Sequence, residues 1–101
     1  MILVYVTCAN KKEAEVIATK LLEDRLIACA NIFEEHLSMY TWEDKVNKEP
    51  ETAMLLKSTE NHFGSIQSKI KEFHSYECPC ILSWEISAGY PPFLKWVEDQ
   101  L

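Results

Sequence analysis

The stretch that decides the fold runs Ile27-Ala28-Cys29-Ala30-Asn31-Ile32-Phe33-Glu34-Glu35-His36-Leu37-Ser38-Met39-Tyr40-Thr41-Trp42, turns at Glu43-Asp44-Lys45, and returns from Val46 to Lys57. Thr52-Ala53-Met54-Leu55-Leu56 is the apolar portion of the return. Both flanks have extended character and the polar trio between them has turn chemistry, which predicts a hairpin of two strands. The hairpin is longer than a domain of 101 residues requires. A surplus of strand overhangs its sheet and leaves backbone N–H and C=O groups unpaired, an edge that proteins pair or cover. Met39, Tyr40 and Trp42 fall on that overhang, where exposed aromatic surface predicts burial by another subunit.

Upstream of the hairpin, Ile2 to Thr7 is short, continuously apolar and rich in β-branched residues, the pattern of a central strand. Asn10 followed by Glu13 is a capping-box pattern, and Ala14, Ile17, Ala18, Leu21 and Leu22 recur on one helical stripe. A helix is predicted from Lys11 to Arg25. Downstream, Ser58 or Thr59 caps a second helix carrying Phe63, Ile66, Ile70 and Phe73, which ends before Pro79. Cys80 to Ile86 reads as a strand. Pro91-Pro92 opens a last helix with Phe93, Leu94 and Val97 inward. The order β-α-β-β-α-β plus a C-terminal helix predicts one α+β domain over residues 1–101, the ferredoxin-like split β-α-β sandwich. That fold hosts many functions and assigns none.

Composition removes several function classes. Gly64 and Gly89 are the only glycines, so no glycine-rich phosphate loop is present. Ten Lys and Arg against sixteen acids leave a net charge of −6, which argues against nucleic acid as a partner and suits cations. The apolar run at Met1–Thr7 has no basic leader and is too short to span a bilayer, so no membrane association and a cytoplasmic location are expected, with reduced thiols.

Cys8 and Cys29 lie beside apolar residues, where free cysteine acts as a small hydrophobe. Cys78-Pro79-Cys80 lacks the two-residue spacer of zinc and thioredoxin motifs, and its thiols are expected to diverge. One of them still joins His74 and Glu77 beyond the second helix, and imidazole with thiolate suits copper or zinc. His74, Glu77 and Cys80 are therefore the candidate metal ligands; a helix-capping histidine is the plainer alternative for His74. Glu34-Glu35 and Glu49-Pro50-Glu51 read as solvated hairpin surface. The aromatic residues Tyr40, Trp42, Tyr76, Tyr90 and Trp96 read as packing and interface residues rather than a base-stacking platform, since Met1–Thr7 carries no Lys or Arg.

Leu26-Ile27-Ala28-Cys29-Ala30-Asn31-Ile32 resembles an L-A-A-C-x-N-I segment, Ser38–Trp42 resembles S-x-Y-x-W, and Glu51–Lys57 resembles a strand that carries an acid and ends in Lys. His74–Pro79 resembles H-P-Y-E-x-P, and Leu94-Lys95-Trp96 resembles L-x-W. Together these resemble the CutA divalent-cation tolerance family, in order and from about residue 2 to residue 98. The resemblance implies a homotrimer with inter-subunit sheet pairing, an architecture like that of the PII signalling proteins, and tolerance or binding of divalent cations such as copper or zinc. It implies no enzymatic reaction and no organic cofactor. Tyr40, Trp42, Lys57, Tyr76 and Trp96, with His74 and Glu77, are the residues expected around an inter-subunit cleft. Three positions depart from the pattern: Ser75 replaces Pro, Asp44 replaces a turn glycine, and Cys80 replaces Glu.

A scaffold that binds protein partners without metal is the alternative. A small hydrolase of acylphosphatase type shares the fold, but Arg25 is the sole arginine and has no glycine loop beside it.

Overall fold

The computed structural model describes residues 1–101. Its elements are β1 (Ile2–Cys8), α1 (Lys11–Glu23), β2 (Cys29–Ile32), β3 (His36–Trp42), β4 (Lys45–Ser58), α2 (Phe63–Phe73), β5 (Ile81–Glu85) and α3 (Pro91–Gln100). The antiparallel sheet runs β2-β4-β1-β5, with β3 also on β4. Since β2 and β3 together form the outgoing half of the hairpin, this is the strand order expected of a split β-α-β sandwich.

Period-two alternation divides the sheet into two faces. Ile2, Val4, Val6 and Cys8 of β1 lie opposite Ser58, Leu56, Met54 and Thr52 of β4, and all eight are buried. They form the main core with Ala14, Ile17, Ala18 and Leu21 of α1 and Ile66 and Ile70 of α2. The other face carries Leu3 and Tyr5 beside Trp84 and Leu82, of which Trp84 and Leu82 are exposed.

Helix α1 begins as its sequence dictates, with the Asn10 side chain accepting from Glu13 N–H at 2.9 Å. It ends two residues before the predicted Arg25, because Arg25 takes a left-handed φ of 53°. Arg25 N–H then reaches Leu22 O and Leu26 N–H reaches Leu21 O, the paired bonds of a Schellman stop. Helix α2 is preceded by a tight turn at Glu60–His62, and Ser58 is not its cap: buried on β4, its hydroxyl donates to Leu26 O at 2.6 Å. In α3, Val97 is fully buried and Phe93 is partly exposed.

The predicted hairpin is present, but its outgoing strand is interrupted. Ile32 pairs with Met54 and His36 with Glu51, so Phe33, Glu34 and Glu35 stand opposite only Thr52 and Ala53. One extra residue makes a bulge and reverses the alternation. In β2 the odd-numbered Asn31 shares the face away from the helices; in β3 that face passes to His36, Ser38, Tyr40 and Trp42.

Beyond the bulge, β3 and the first half of β4 pair only with each other, over seven rungs from His36–Glu51 to Trp42–Lys45. At about 3.4 Å per residue this arm projects roughly 20 Å, which accounts for a long axis of 45 Å against 26 and 23 Å. Glu43 and Asp44 close it at φ 51° and 62°, a two-residue turn with both centres left-handed.

Candidate functional site

A cleft of about 1030 Å³ lies where the root of the arm faces the loop between α2 and β5. The bulge shapes its chemistry, because it turns Ser38, Tyr40 and Trp42 to the face of Asn47, Glu49 and Glu51 on β4; all six line the cleft, with Met39 beside them. The opposing wall is Thr7 at the end of β1 and Tyr76, Glu77, Cys78 and Cys80 from the loop.

Glu51 joins the two walls. One carboxylate oxygen accepts the Ser38 hydroxyl at 2.5 Å and the other accepts the Tyr76 hydroxyl at 2.8 Å. His36 Nε2 lies 3.1 Å from Ser38 Oγ and extends the chain outward. Burial, then the bond to Glu51 and its charge, push the Tyr76 phenol up, so it remains a donor across the physiological range. Tyr40 is also pushed up, through desolvation and the neighbouring Glu49. The expectation that Glu51 is solvated surface fails here, because the sequence does not show which tyrosine meets it.

His74 and Glu13 fix the loop. The His74 side chain has no exposed surface. Its Nε2 donates to Thr7 O at 2.8 Å, and its Nδ1 accepts from Tyr76 N–H at 3.0 Å. A carbonyl only accepts and a peptide N–H only donates, so the ring carries its proton on Nε2. Glu13 accepts Ala9 N–H at 3.0 Å and Ser75 N–H at 2.9 Å. Burial would raise its carboxyl, but the hydrogen bonds from Ser75 and from Ala9 N–H outweigh that and hold it below its usual value of 4.5. The Ser75 N–H that completes this bond is one that proline does not possess. The departure at position 75 thus replaces ring rigidity with a hydrogen bond.

Cys8, Glu13 and His74 are the one set of three metal-capable residues whose ligand atoms all lie within 4.8 Å of one another. Their hydrogen bonding suits a structural latch better than a metal. Both His74 nitrogens and both Glu13 oxygens have partners, and burial, then the charges of Glu13 and Glu51, push the Cys8 thiol up to about 12. The Glu13 side of this latch was legible only as a capping residue. Its reach to residue 75 has no signal in the local sequence.

The residues nominated from sequence separate into two groups. Tyr40, Trp42, Tyr76, Glu77 and Cys80 line the cleft. His74 stands behind it, turned to Thr7 and Tyr76. Lys57 lies farther along the sheet, opposite Leu3 and Cys29, with its ammonium donating to the Asn31 side chain. Trp96 is on α3, stacked on Phe93 with ring centroids 5.7 Å apart. The thiols of the Cys78-Pro79-Cys80 segment do not diverge as expected. Cys78 lies in a bend ahead of β5, and both residues line the cleft. Burial pushes the Cys80 thiol up and Glu51 adds to this, with Thr7 acting the other way. Arg25, the residue the hydrolase alternative needs, reaches Gln100 O at 3.4 Å. No helix is long and apolar enough to cross a membrane.

Comparison with known proteins agrees with this architecture. Residues 2–100 match the family described as CutA1 divalent ion tolerance protein. The chain is 38% identical over 96 residues to the divalent-cation tolerance protein CutA of Archaeoglobus fulgidus, covering 95% of this chain and 93% of that one. It is 31% identical to human protein CutA, over 94% of this chain and 53% of the human protein. Among solved structures, the divalent cation tolerance protein CutA1 of Thermus thermophilus superposes with a TM-score of 0.96 at 32% identity, covering 99% and 98% of the two chains. That of Archaeoglobus fulgidus, described as a periplasmic divalent cation tolerance protein, gives 0.95 at 38% identity and covers 99% and 98%. With its mixed α+β fold, bulged hairpin arm and nearly full-length match, this chain belongs to the CutA1 divalent ion tolerance family.

Proposed function

We propose that the chain is a homotrimeric scaffold of divalent-cation tolerance, PII-like in architecture and without a catalytic step, which takes copper or zinc into the clefts at its arm roots. The observation that carries this reading is the arm itself. Its seven rungs leave both outer edges without a strand partner, and Leu37, Met39, Trp42 and Val46 on it are exposed. Unpaired edges with apolar side chains favour pairing with another chain, and a second copy supplies the same geometry. Lys57 and Trp96, distant from the cleft of their own subunit, belong to the inter-subunit surface in this reading.

The cation enters because the cleft is acidic. Glu49, Glu51 and Glu77 line it and no Lys, Arg or His does. Carboxylate with thiolate is a donor set suited to copper or zinc. Glu77 and Cys80 are the ligands, and His74 positions them by holding Tyr76 and Thr7. Bound there, an ion would supply positive charge that favours the thiolate form of Cys80. The setting is cytoplasmic, where the thiols stay reduced.

Light-scattering mass with and without copper or zinc, followed by metal analysis of the peak, tests this reading. A mass near three times the 11.7 kDa subunit with stoichiometric metal is expected. A stable monomer removes the assembly, and a metal-free trimer removes the cation.

A further inference from the structure

The cleft is larger than a bare ion needs. Its volume of about 1030 Å³ lies at the upper end of the range for small-molecule pockets, and half of its twelve lining residues are hydrophobic. Tyr40 and Trp42 stand on the arm and Tyr76 on the opposing loop, so both walls carry an aromatic ring. Both walls carry acids as well, Glu49 and Glu51 on β4 and Glu77 on the loop, with no Lys, Arg or His in the lining to neutralise them. Glu51 already accepts the Ser38 and Tyr76 hydroxyls, but a carboxylate has about four lone-pair sites and retains room for another donor.

Glu49 and Glu51 are two residues apart on one strand, so they share a face and are spaced about 7 Å along it. Two ammonium groups joined by a short methylene chain span a comparable distance. The methylenes between such charges favour apolar surface, as the stem of a lysine does, and the ammonium groups are drawn to the faces of Tyr and Trp. Carboxylates alone would serve a metal ion and rings alone a quaternary ammonium; the cleft interleaves the two. We propose that it binds a linear aliphatic polyamine, with charged nitrogens on Glu49, Glu51 and Glu77 and methylene segments against Tyr40, Trp42 and Tyr76. This ligand goes beyond the metal reading of the cleft and does not depend on it, since it uses the acids and rings without a thiol.

Calorimetric titration of spermidine into the full chain tests the proposal, with parallel titrations of magnesium, tetramethylammonium and zinc. Spermidine is expected to bind saturably, and more tightly than magnesium or tetramethylammonium. Glu49→Gln should weaken it about tenfold, the scale of one hydrogen bond to a charged group. Trp42→Ala should weaken it about two- to fivefold, the scale of an exposed cation–π contact. Glu60→Gln removes an acid from the turn before α2, outside the cleft, and should leave binding unchanged. Variants are compared with the native chain at equal mass by light scattering. Absence of spermidine binding, or an equal loss in Glu60→Gln, refutes the polyamine, and zinc uptake in that case leaves the metal reading in place. Spermidine binding without zinc uptake has the reverse meaning. Magnesium bound as tightly as spermidine would reduce the cleft to acidic surface, and tetramethylammonium bound as tightly would reduce it to its rings; either overturns the proposal.

Discussion

Replacing Glu13 by alanine is expected to destabilise the protein by about 3 kcal/mol, although Glu13 lines no part of the cleft. Its carboxylate holds Ala9 N–H at 3.0 Å and Ser75 N–H at 2.9 Å, and its side chain is only 13% exposed. Hydrogen bonds to a charged acceptor contribute about 1.5–3 kcal/mol each. Water reaches part of this site, so the lower end applies to each of the two bonds. At about 4–8 °C per kcal/mol for a domain of this size, the melting temperature should fall by roughly 12–24 °C. Native and variant must be melted at equal concentration, since assembly shifts apparent stability. Hydrogen exchange at the amides of Ala9 and Ser75 gives a local reading that assembly does not dominate.

Glu13→Gln is the finer probe, because the amide oxygen can serve one N–H while the NH₂ confronts the other. The folded carboxyl lies below its usual 4.5, so its stabilising contribution is present above that pH and is lost as pH falls through the folded value. The gap between native and Gln variant should therefore be full near neutrality and close below about pH 4.5. An alanine variant within about 0.5 kcal/mol of native, the range of an ordinary surface change, would refute the latch.

Three further outcomes follow from geometry. Glu43→Asn with Asp44→Gly should raise stability by about 1 kcal/mol, because both positions are left-handed, a region that Glu adopts at a cost, Asp tolerates and Gly adopts freely; an unchanged thermal melt would count against the turn. In the native protein at pH 8 the Cys8 thiol, buried and raised to about 12, should stay silent to a thiol reagent until unfolding, with Cys78 reacting first. Four promptly titrating thiols would contradict that burial. Tyr76→Phe should cost about 1–2 kcal/mol by leaving one Glu51 oxygen without its phenol donor, and amide exchange along the arm should speed up. Unaltered exchange would mean that the Glu51 network does not hold the arm.

Much of the fold was legible because its signals are local. Asn10 and Glu13 marked the start of α1, and the apolar stripe from Ala14 to Leu21 gave its buried face. Its end was less legible, since nothing in Arg25 itself announces a left-handed residue. The hairpin and its exposed aromatics were foreseen from length and composition. The bulge was not, because Phe33-Glu34-Glu35 contains no glycine or proline and its effect depends on what lies opposite. For the same reason the cleft was half legible. Tyr40, Trp42, Tyr76, Glu77 and Cys80 were named from sequence, whereas Glu51 was read as surface and the joint position of Cys78 and Cys80 was missed. Contacts between residues 51 and 76, or 13 and 75, exist only once three strands are in register.

The single extra residue between Ile32 and His36 acts as a reading frame for the arm. Deleting one residue there would restore strict alternation and exchange the two faces of β3 in one step. Leu37, Met39 and Thr41 would then take the sheet face now held by Ser38, Tyr40 and Trp42, with the helix-covered core left as it is. The arm therefore carries two alternative surfaces in one sequence, and a one-residue change in length, without any substitution, is enough to choose between them.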